Sequence, residues 1–323
     1  MMKKLDNLPL FACYCLIAAL FFVPLSAALA KADVEPLAVV EVGPGIFVAP
    51  GAVERVNPEN QGHIANLGFI IGEKSVAVID TGGSLLVGQR LRAAIEAKTD
   101  LPIGYVINTH AHPDHILGNA AFVNSGAVFV SHPRFNDALA LRGSFYLAAN
   151  LELIGKAAFS GSGLIPSTQS AVGEMTIDLG NRVLMLESFP TAHTDNDLIV
   201  VDRKTSTAFL GDLLFIDHVP ALDGSIKGWL AVMARLTARP FAHVIAGHGP
   251  VGGPLVQPWP FASIPQKRYL ELVASDVRRH IAAGHSLTTA SKDTALSEEK
   301  RWLLFHDFNT RNATTTFSEL EWE

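Results

Sequence analysis

Three histidines and an aspartate fall within six residues at His110-Ala111-His112-Pro113-Asp114-His115. Imidazoles and carboxylates at this density are metal ligands rather than surface decoration. The cluster follows an apolar run, Ile103 to Ile107, that reads as a buried strand. Asn108, Thr109 and Pro113 are turn formers, so the cluster sits on a loop at the strand's C-terminal end. His110 and His112 are two apart and project to one side of an extended segment. Asp114 and His115 then turn toward a second point. That pattern suits two metal ions a few ångströms apart, the arrangement of two-metal hydrolytic sites.

Three further candidates stand at the ends of predicted strands. His193 follows Val183 to Phe189, Asp212 follows Thr207 to Leu210, and His248 follows Ala242 to Ala246. Each alone is a weak signal; added to the first cluster they make seven ligands gathered from four strand ends. His63 and His218 have loops expected to border the site. His132, His243, His280, His285 and His306 read as structural or surface residues. Asp80, in Asp80-Thr81-Gly82-Gly83, reads as a brace for the ligand loops, because seven ligands fill two metals without it. Gly82-Gly83 lacks the Lys and the spacing of a phosphate-binding loop.

The elements that must position these residues alternate in type. Strands are expected at Gly45 to Ala49, Ile64 to Ile71, Ser75 to Ile79, Ala127 to Ser131, Met175 to Leu179 and Asp197 to Val201. Helices are expected at Ser84 to Lys98, Ile116 to Phe122, Pro133 to about Lys156, Pro265 to Ala283 and Glu299 to His306. The loop from Pro50 to Gly62 has an apolar tip, Ala52-Val53, suited to covering a cleft or to a plain hairpin connection. Trp302, Phe305 and Phe308 read as packing residues.

The N-terminus reads as a signal segment. Lys3 and Lys4 precede an apolar run, Leu10 to Val23, and Ala28-Leu29-Ala30 is a small-x-small cleavage site. The run is shorter than the roughly 20 residues of a membrane span, so export with cleavage after Ala30 is expected and an uncleaved anchor is the alternative. Both cysteines, Cys13 and Cys15, lie inside this segment. The mature chain then has no disulfide and no thiolate ligand or nucleophile. The formal charge is −6; removing Lys3, Lys4 and Asp6 leaves −7, which argues against a nucleic-acid partner. A hydrophobic content of 49% supports a sizeable core.

The ordered set His110, His112, Asp114, His115, His193, Asp212 and His248 resembles the ligand set of the metallo-β-lactamase-fold hydrolases over about Gly45 to Gly252. The resemblance implies an α/β fold, a four-layer αβ/βα sandwich with the site at one edge. It divides the chain into a signal segment (1–30), the fold domain (31–258) and a C-terminal helical extension packed on it (259–323). It also implies two zinc ions, His110, His112 and His193 on the first, Asp114, His115 and His248 on the second, and Asp212 between them. A hydroxide shared by the two metals would be the nucleophile, with Asp114 and Asp212 orienting it. A chain without mature cysteine departs from β-lactamases that use a Cys ligand, and the bridging Asp212 is closer to glyoxalase II and lactonases. Ala192 stands where a Gly is usual before the third histidine.

The stretches Asn66 to Ile70, Asn108 to His115, Thr191 to Asp197, Gly211 to Phe215, Arg311-Asn312 and Glu319 to Glu323 further resemble the quinoprotein relay system, or SoxH-type, zinc metallohydrolases. That implies a periplasmic or secreted enzyme, a small-molecule substrate, and association with a PQQ-dependent dehydrogenase or cytochrome system. Ester, thioester, lactone and amide substrates fit. Competing readings are a β-lactamase with an all-His/Asp site, a mono-iron persulfide dioxygenase, and a non-catalytic metal-binding partner.

Overall fold

Successive residues of the first strands turn into two different apolar cores. Ile46, Val48, Ile70, Ala77 and Ile79 face one; Phe47, Phe69, Val76 and Val78 face the other. Both faces of the sheet are therefore buried, which explains why its strands read as continuous apolar runs. The computed structural model describes residues 34–252 and 258–323. The expected signal segment, with Cys13, Cys15 and cleavage after Ala30, lies outside the described residues.

The first half builds a seven-stranded sheet in sequential order. β1 (Val40–Gly43), β2 (Ile46–Ala49), β3 (Leu67–Ile71) and β4 (Val76–Ile79) pair antiparallel. After α1 (Leu85–Glu96) the pairing becomes parallel through β5 (Ile103–Ile107), β6 (Val128–Ser131) and β7 (Gln169–Ser170). Between β5 and β6 lies the short helix α2 (Pro113–Ile116); between β6 and β7 lie α3 (Phe135–Ile154) and α4 (Lys156–Phe159). The second half builds a five-stranded sheet from β8 (Glu174–Asp178), β9 (Val183–Ser188), β10 (Leu198–Asp202), β11 (Thr207–Phe215) and β12 (His243–His248), with α5 (Ile226–Thr237) crossing from β11 to its parallel neighbour β12. The chain then continues as α6 (Ile264–Ala282), α7 (Leu287–Asp293) and α8 (Phe305–Leu320).

The two sheets face each other across a shared core, where Ile46, Ile79, Ile107 and Val130 meet Leu184, Leu186, Leu198 and Phe209. Helix α1 covers the outer face of the first sheet with Val87, Leu91 and Ile95. Helices α5, α6 and α8 cover the second with Trp229, Tyr269, Val273 and Phe317. This is the expected helix–sheet–sheet–helix layering. Ser84 caps α1: its hydroxyl accepts the Val87 N–H at 3.3 Å and donates to the Gln61 carbonyl at 2.8 Å. Arg182 joins the sheets, donating to the Pro44 and Ile71 carbonyls at 2.8 and 3.0 Å and to the buried Asp202 at 3.1 and 3.0 Å.

Several boundaries differ from expectation. The strand expected from Ile64 begins at Leu67, because Asn66 leaves the ladder and donates to the Ala246 and Gly249 carbonyls. The helix expected at Ile116 to Phe122 is α2 followed by a 3₁₀ segment, Leu117–Ser125. There Gly118 presses so closely on Thr81 that an added Cβ would lie 2.0 Å from the Thr81 carbonyl oxygen. β11 runs on to Phe215, so Asp212 lies inside a strand and not beyond its end. The helix expected at Glu299 to His306 is a 3₁₀ turn, Leu296–Arg301, and then α8, four turns long. Apolar periodicity does not reveal α8, because its buried face is half polar, with Asn309, Asn312 and Thr316 beside Phe305, Ala313 and Phe317.

Candidate metal centre

The loop after β5 is held from below by amide chemistry. Asn108 and Asn119 exchange side-chain hydrogen bonds at 3.2 and 2.8 Å, and Thr81 donates to Asn119 at 2.8 Å. Asp80 sits at φ 56°, in the left-handed region, and that turn directs its carboxylate under the loop. It accepts the Thr109 N–H at 2.8 Å, the Thr109 hydroxyl at 2.7 Å and His115 Nδ1–H at 2.8 Å. Asp80 is thus the brace anticipated from sequence, not one of the converging ligands.

All seven predicted residues converge. His110, His112, His193 and Asp212 form one group, and Asp114, His115 and His248 a second, each with ligand atoms within 4.8 Å of one another. Asp212 spans the two. Its Oδ2 lies 3.6 Å from His110 Nε2, 3.4 Å from His193 Nε2 and 3.4 Å from His248 Nε2; its Oδ1 lies 3.2 Å from His115 Nε2. Asp114 Oδ2 lies 3.2 Å from His248 Nε2 and 3.5 Å from His115 Nε2. The irregular pairing of β11 around Gly211, itself at φ 51°, aims Asp212 inward. Gly247 clears the space beside it, since a Cβ there would fall 1.9 Å from Asp212 Oδ1.

The outer nitrogen of each ring is anchored. His193 Nδ1 donates to the Ala221 carbonyl at 2.6 Å, His248 Nδ1 to the Ile64 carbonyl at 3.0 Å, and His112 Nε2 to Asp223 at 2.9 Å. His110 Nδ1 meets the Thr109 hydroxyl at 3.1 Å. These anchors turn the second nitrogen of every ring toward the shared centre. His110 Nε2, His115 Nε2 and Asp212 Oδ1 are buried there without a hydrogen-bond partner among the described residues.

Electrostatics separates the rings into two kinds. Burial lowers His110 well below the usual imidazole range, holds His112 at about 4 and holds His193 at about 3. Burial also penalises charge on His248 and His115, but Asp212 and Asp114 outweigh it, with Asp80 adding to His115. His248 is pushed up to about 9 and His115 well above its ordinary value. Asp114 and Asp212 are lowered in spite of their burial, by His115 and His248. Without a cation the two carboxylates thus hold protons on His115 and His248, while burial keeps the other three rings as neutral lone-pair donors. A divalent cation would take the place of those protons, because an imidazole binds metal only as the neutral ring.

Of the other histidines, His218 borders the site: its ring lies 5.2 Å from that of His248 and 5.1 Å from Phe308 of α8. His63 bonds the Ala49 backbone instead of joining the seven. His132 is structural, with Nε2 donating to the Phe189 carbonyl at 3.1 Å.

Sequence reasoning missed Asp223. It stands in Leu222-Asp223-Gly224 with no chemical company nearby in sequence, and only the fold brings it to His112. Its other oxygen is bonded by Arg311 of α8. Asn312, the next residue, donates to the Pro220 carbonyl at 2.6 Å and accepts the Leu222 N–H at 2.9 Å. Glu319 accepts from Ser225 and Ile226 at 2.6 and 2.7 Å. One face of α8 therefore holds the 219–226 loop against the site. The tail stretches were noticed in the sequence, but nothing there showed what they touch.

A family model described as the metallo-beta-lactamase superfamily matches residues 61–258. No curated protein matches the chain by sequence. Among solved structures, the inverting sec-alkylsulfatase Pisa1 from Pseudomonas sp. is similar with a TM-score of 0.67 at 14% identity, over 88% of this chain and 50% of that one. The chain thus spans half the length of the sulfatase. A metallo-beta-lactamase from Hirschia baltica has a TM-score of 0.55 at 18% identity, over 73% of this chain and 98% of that one. One from Pontibacter korlensis has 0.54 at 17%, over 66% and 92%. At these identities the likeness is one of fold.

Proposed function

Because the chain belongs to the metallo-beta-lactamase superfamily, a hydrolase family, we propose that it is a dinuclear zinc hydrolase acting on a small ester, thioester, lactone or amide. The observation that carries this reading is the set of inward-facing donors, three of them buried and unpartnered. The donor set fits two cations: His110, His112 and His193 would hold one, Asp114, His115 and His248 the other, and Asp212 would serve both. Imidazole and carboxylate ligands without thiolate suit zinc. When bound, two zinc ions supply an activated water near neutral pH and Lewis-acid polarisation of the scissile bond.

The chain's own residues prepare that chemistry. The carbonyls of Ala221 and Ile64 and the carboxylates of Asp80 and Asp223 fix four ring orientations and tautomers, leaving one lone pair of each ring for the centre. Asp114 and Asp212 concentrate negative charge where cations and a nucleophilic water would sit. Phe215, stacked on His248 at 5.1 Å, and Trp229, 5.2 Å from His193, close the floor of the site to water.

The narrower reading is an exported enzyme of the quinoprotein relay type, serving a PQQ-dependent dehydrogenase or cytochrome system. Support comes from the signal-like N-terminus and the tail stretches whose Arg311 and Asn312 reach the site loop. Among the described residues no helix is long and apolar enough to cross a membrane. Elemental analysis of the purified mature protein, followed by assay of thioesters, lactones, β-lactams and alkyl sulfates, tests the proposal. About two zinc per chain with ester-class turnover is expected. One iron per chain, with oxygen uptake on persulfides, would overturn it.

A further inference from the structure

Two guanidinium groups reach one patch beside the metal centre. Arg311 of α8 bonds Asp223, which bonds His112. Tyr146 of α3 lies with its ring 6.3 Å from that of His112 and is buried to 8% exposure. Arg142, one helical turn before Tyr146, lies against its hydroxyl, and the charges of Arg311 and Asp114 are also felt there. The patch therefore holds Arg142, Tyr146 and Arg311 over the rim made by His112 and Asp114. Only Arg311 has a carboxylate partner; among the described residues none pairs with Arg142.

Like charges placed together near a desolvated rim are unfavourable unless something anionic joins them. Burial and the neighbouring Arg142 charge lower the pKa of Arg311, with Tyr146 opposing, in keeping with that cost. A fork of guanidinium donors is the side chain best matched to a planar carboxylate or a sulfate. The phenol adds a third donor at the same place. Arg311 is already committed to Asp223 and has a positioning part to play through His112. Arg142, with no acid of its own, is free to take the ligand.

We propose that the substrate carries an anionic group, a carboxylate or sulfate set apart from its scissile bond, which Arg142 receives with help from Tyr146 and Arg311. The proposal rests on the hydrolase reading for which site the substrate enters.

The test is equilibrium binding to the zinc-loaded full chain by titration calorimetry. The probes are dicarboxylates from succinate to adipate, each beside its half-amide, which keeps one carboxylate for the metals and loses the other. At least one dicarboxylate is expected to bind roughly 10-fold or more tightly than its half-amide, as for a charge-assisted hydrogen bond. Arg142→Gln is expected to abolish that difference at unchanged zinc content, and Arg142→Lys to restore part of it. Equal binding of each acid and half-amide by the wild type overturns the proposal, as does a difference that survives in R142Q. Failure of the hydrolase reading is visible separately: the wild-type protein would show the binding difference but no turnover of any ester.

Discussion

Replacing Asp80 by Asn isolates the part a single carboxylate plays in preparing the centre. Asn is the one neutral residue of the same shape that also tolerates φ 56°, so backbone strain is not introduced. The carboxylate accepts three hydrogen bonds, from Thr109 N, Thr109 Oγ1 and His115 Nδ1. An amide offers one acceptor oxygen and one donor group. The Thr109 N–H cannot reverse its role, so the oxygen must stay with it and the amide N–H₂ must face His115. The Thr109 hydroxyl can rotate to accept; His115 can accept only by moving its proton from Nδ1 to Nε2. Nε2 is the atom 3.2 Å from Asp212 and 3.5 Å from Asp114, so the proton lands where a cation would bind. Loss of such an outer partner typically weakens a metal by roughly 10- to 100-fold, or about 1.4–2.7 kcal/mol. Zinc titration against a chromophoric chelator measures it directly. One of two zinc equivalents should weaken by that amount while the other, held by His110, His112 and His193, stays within about 3-fold. Asp80→Ala should add about 1–2 kcal/mol of left-handed backbone strain, visible as a lower melting temperature relative to D80N. A folded D80N protein with both zinc affinities unchanged would refute the tautomer argument.

Other perturbations separate the remaining roles. Asp212→Ala should lose most of one metal and at least roughly 10-fold in turnover; elemental analysis that still finds the full metal complement would count against its shared position. Gly247→Ala forces a methyl to within 1.9 Å of Asp212 Oδ1, and overpacking of this kind costs about 1–3 kcal/mol; it should lower both the melting temperature and the metal content, and an unperturbed variant would show that the strand can shift. Asp202→Ala leaves the buried Arg182 unpaired and should cost about 3–5 kcal/mol in urea unfolding. Burial would raise Asp202, but its bonds from Arg182 and Thr205 hold it below the usual carboxyl range. Its contribution is therefore present above about pH 4 and is lost as pH falls through its lower folded value, so the gap between wild type and D202A should close in acid. A gap independent of pH would remove Asp202 from the account.

Side-chain chemistry was more legible than its supports. His110, His112, Asp114 and His115 could be read as a unit because their neighbours in sequence are also neighbours in space. His193, Asp212 and His248 were legible only as residues at strand ends, and for Asp212 the end was misplaced because β11 bends at Gly211 without stopping. The anchors at Ala221 and Ile64 are carbonyl groups that every residue carries, so no residue type could announce them. Asp223 and Arg311 are 88 positions apart and pair through a fold contact that local pattern does not encode. The buried faces of β2 to β5 were plain from their apolar runs. α8 was not, because Asn309 and Asn312 are buried by hydrogen bonding to Tyr269 and not by hydrophobicity.

The helix that clasps the 219–226 loop has a consequence for the order in which the protein comes to exist. A chain made from its N-terminus carries His110, His112, Asp114 and His115 early, then gains His193, Asp212 and His248; the loop bearing the anchors of His112 and His193 bonds the Ala192 and His193 carbonyls and takes its last contacts from Arg311, Asn312 and Glu319. Metal affinity is then expected to depend on α8, although that helix supplies none of the seven ligands, because the loop that orients His112 and His193 takes its last contacts from it.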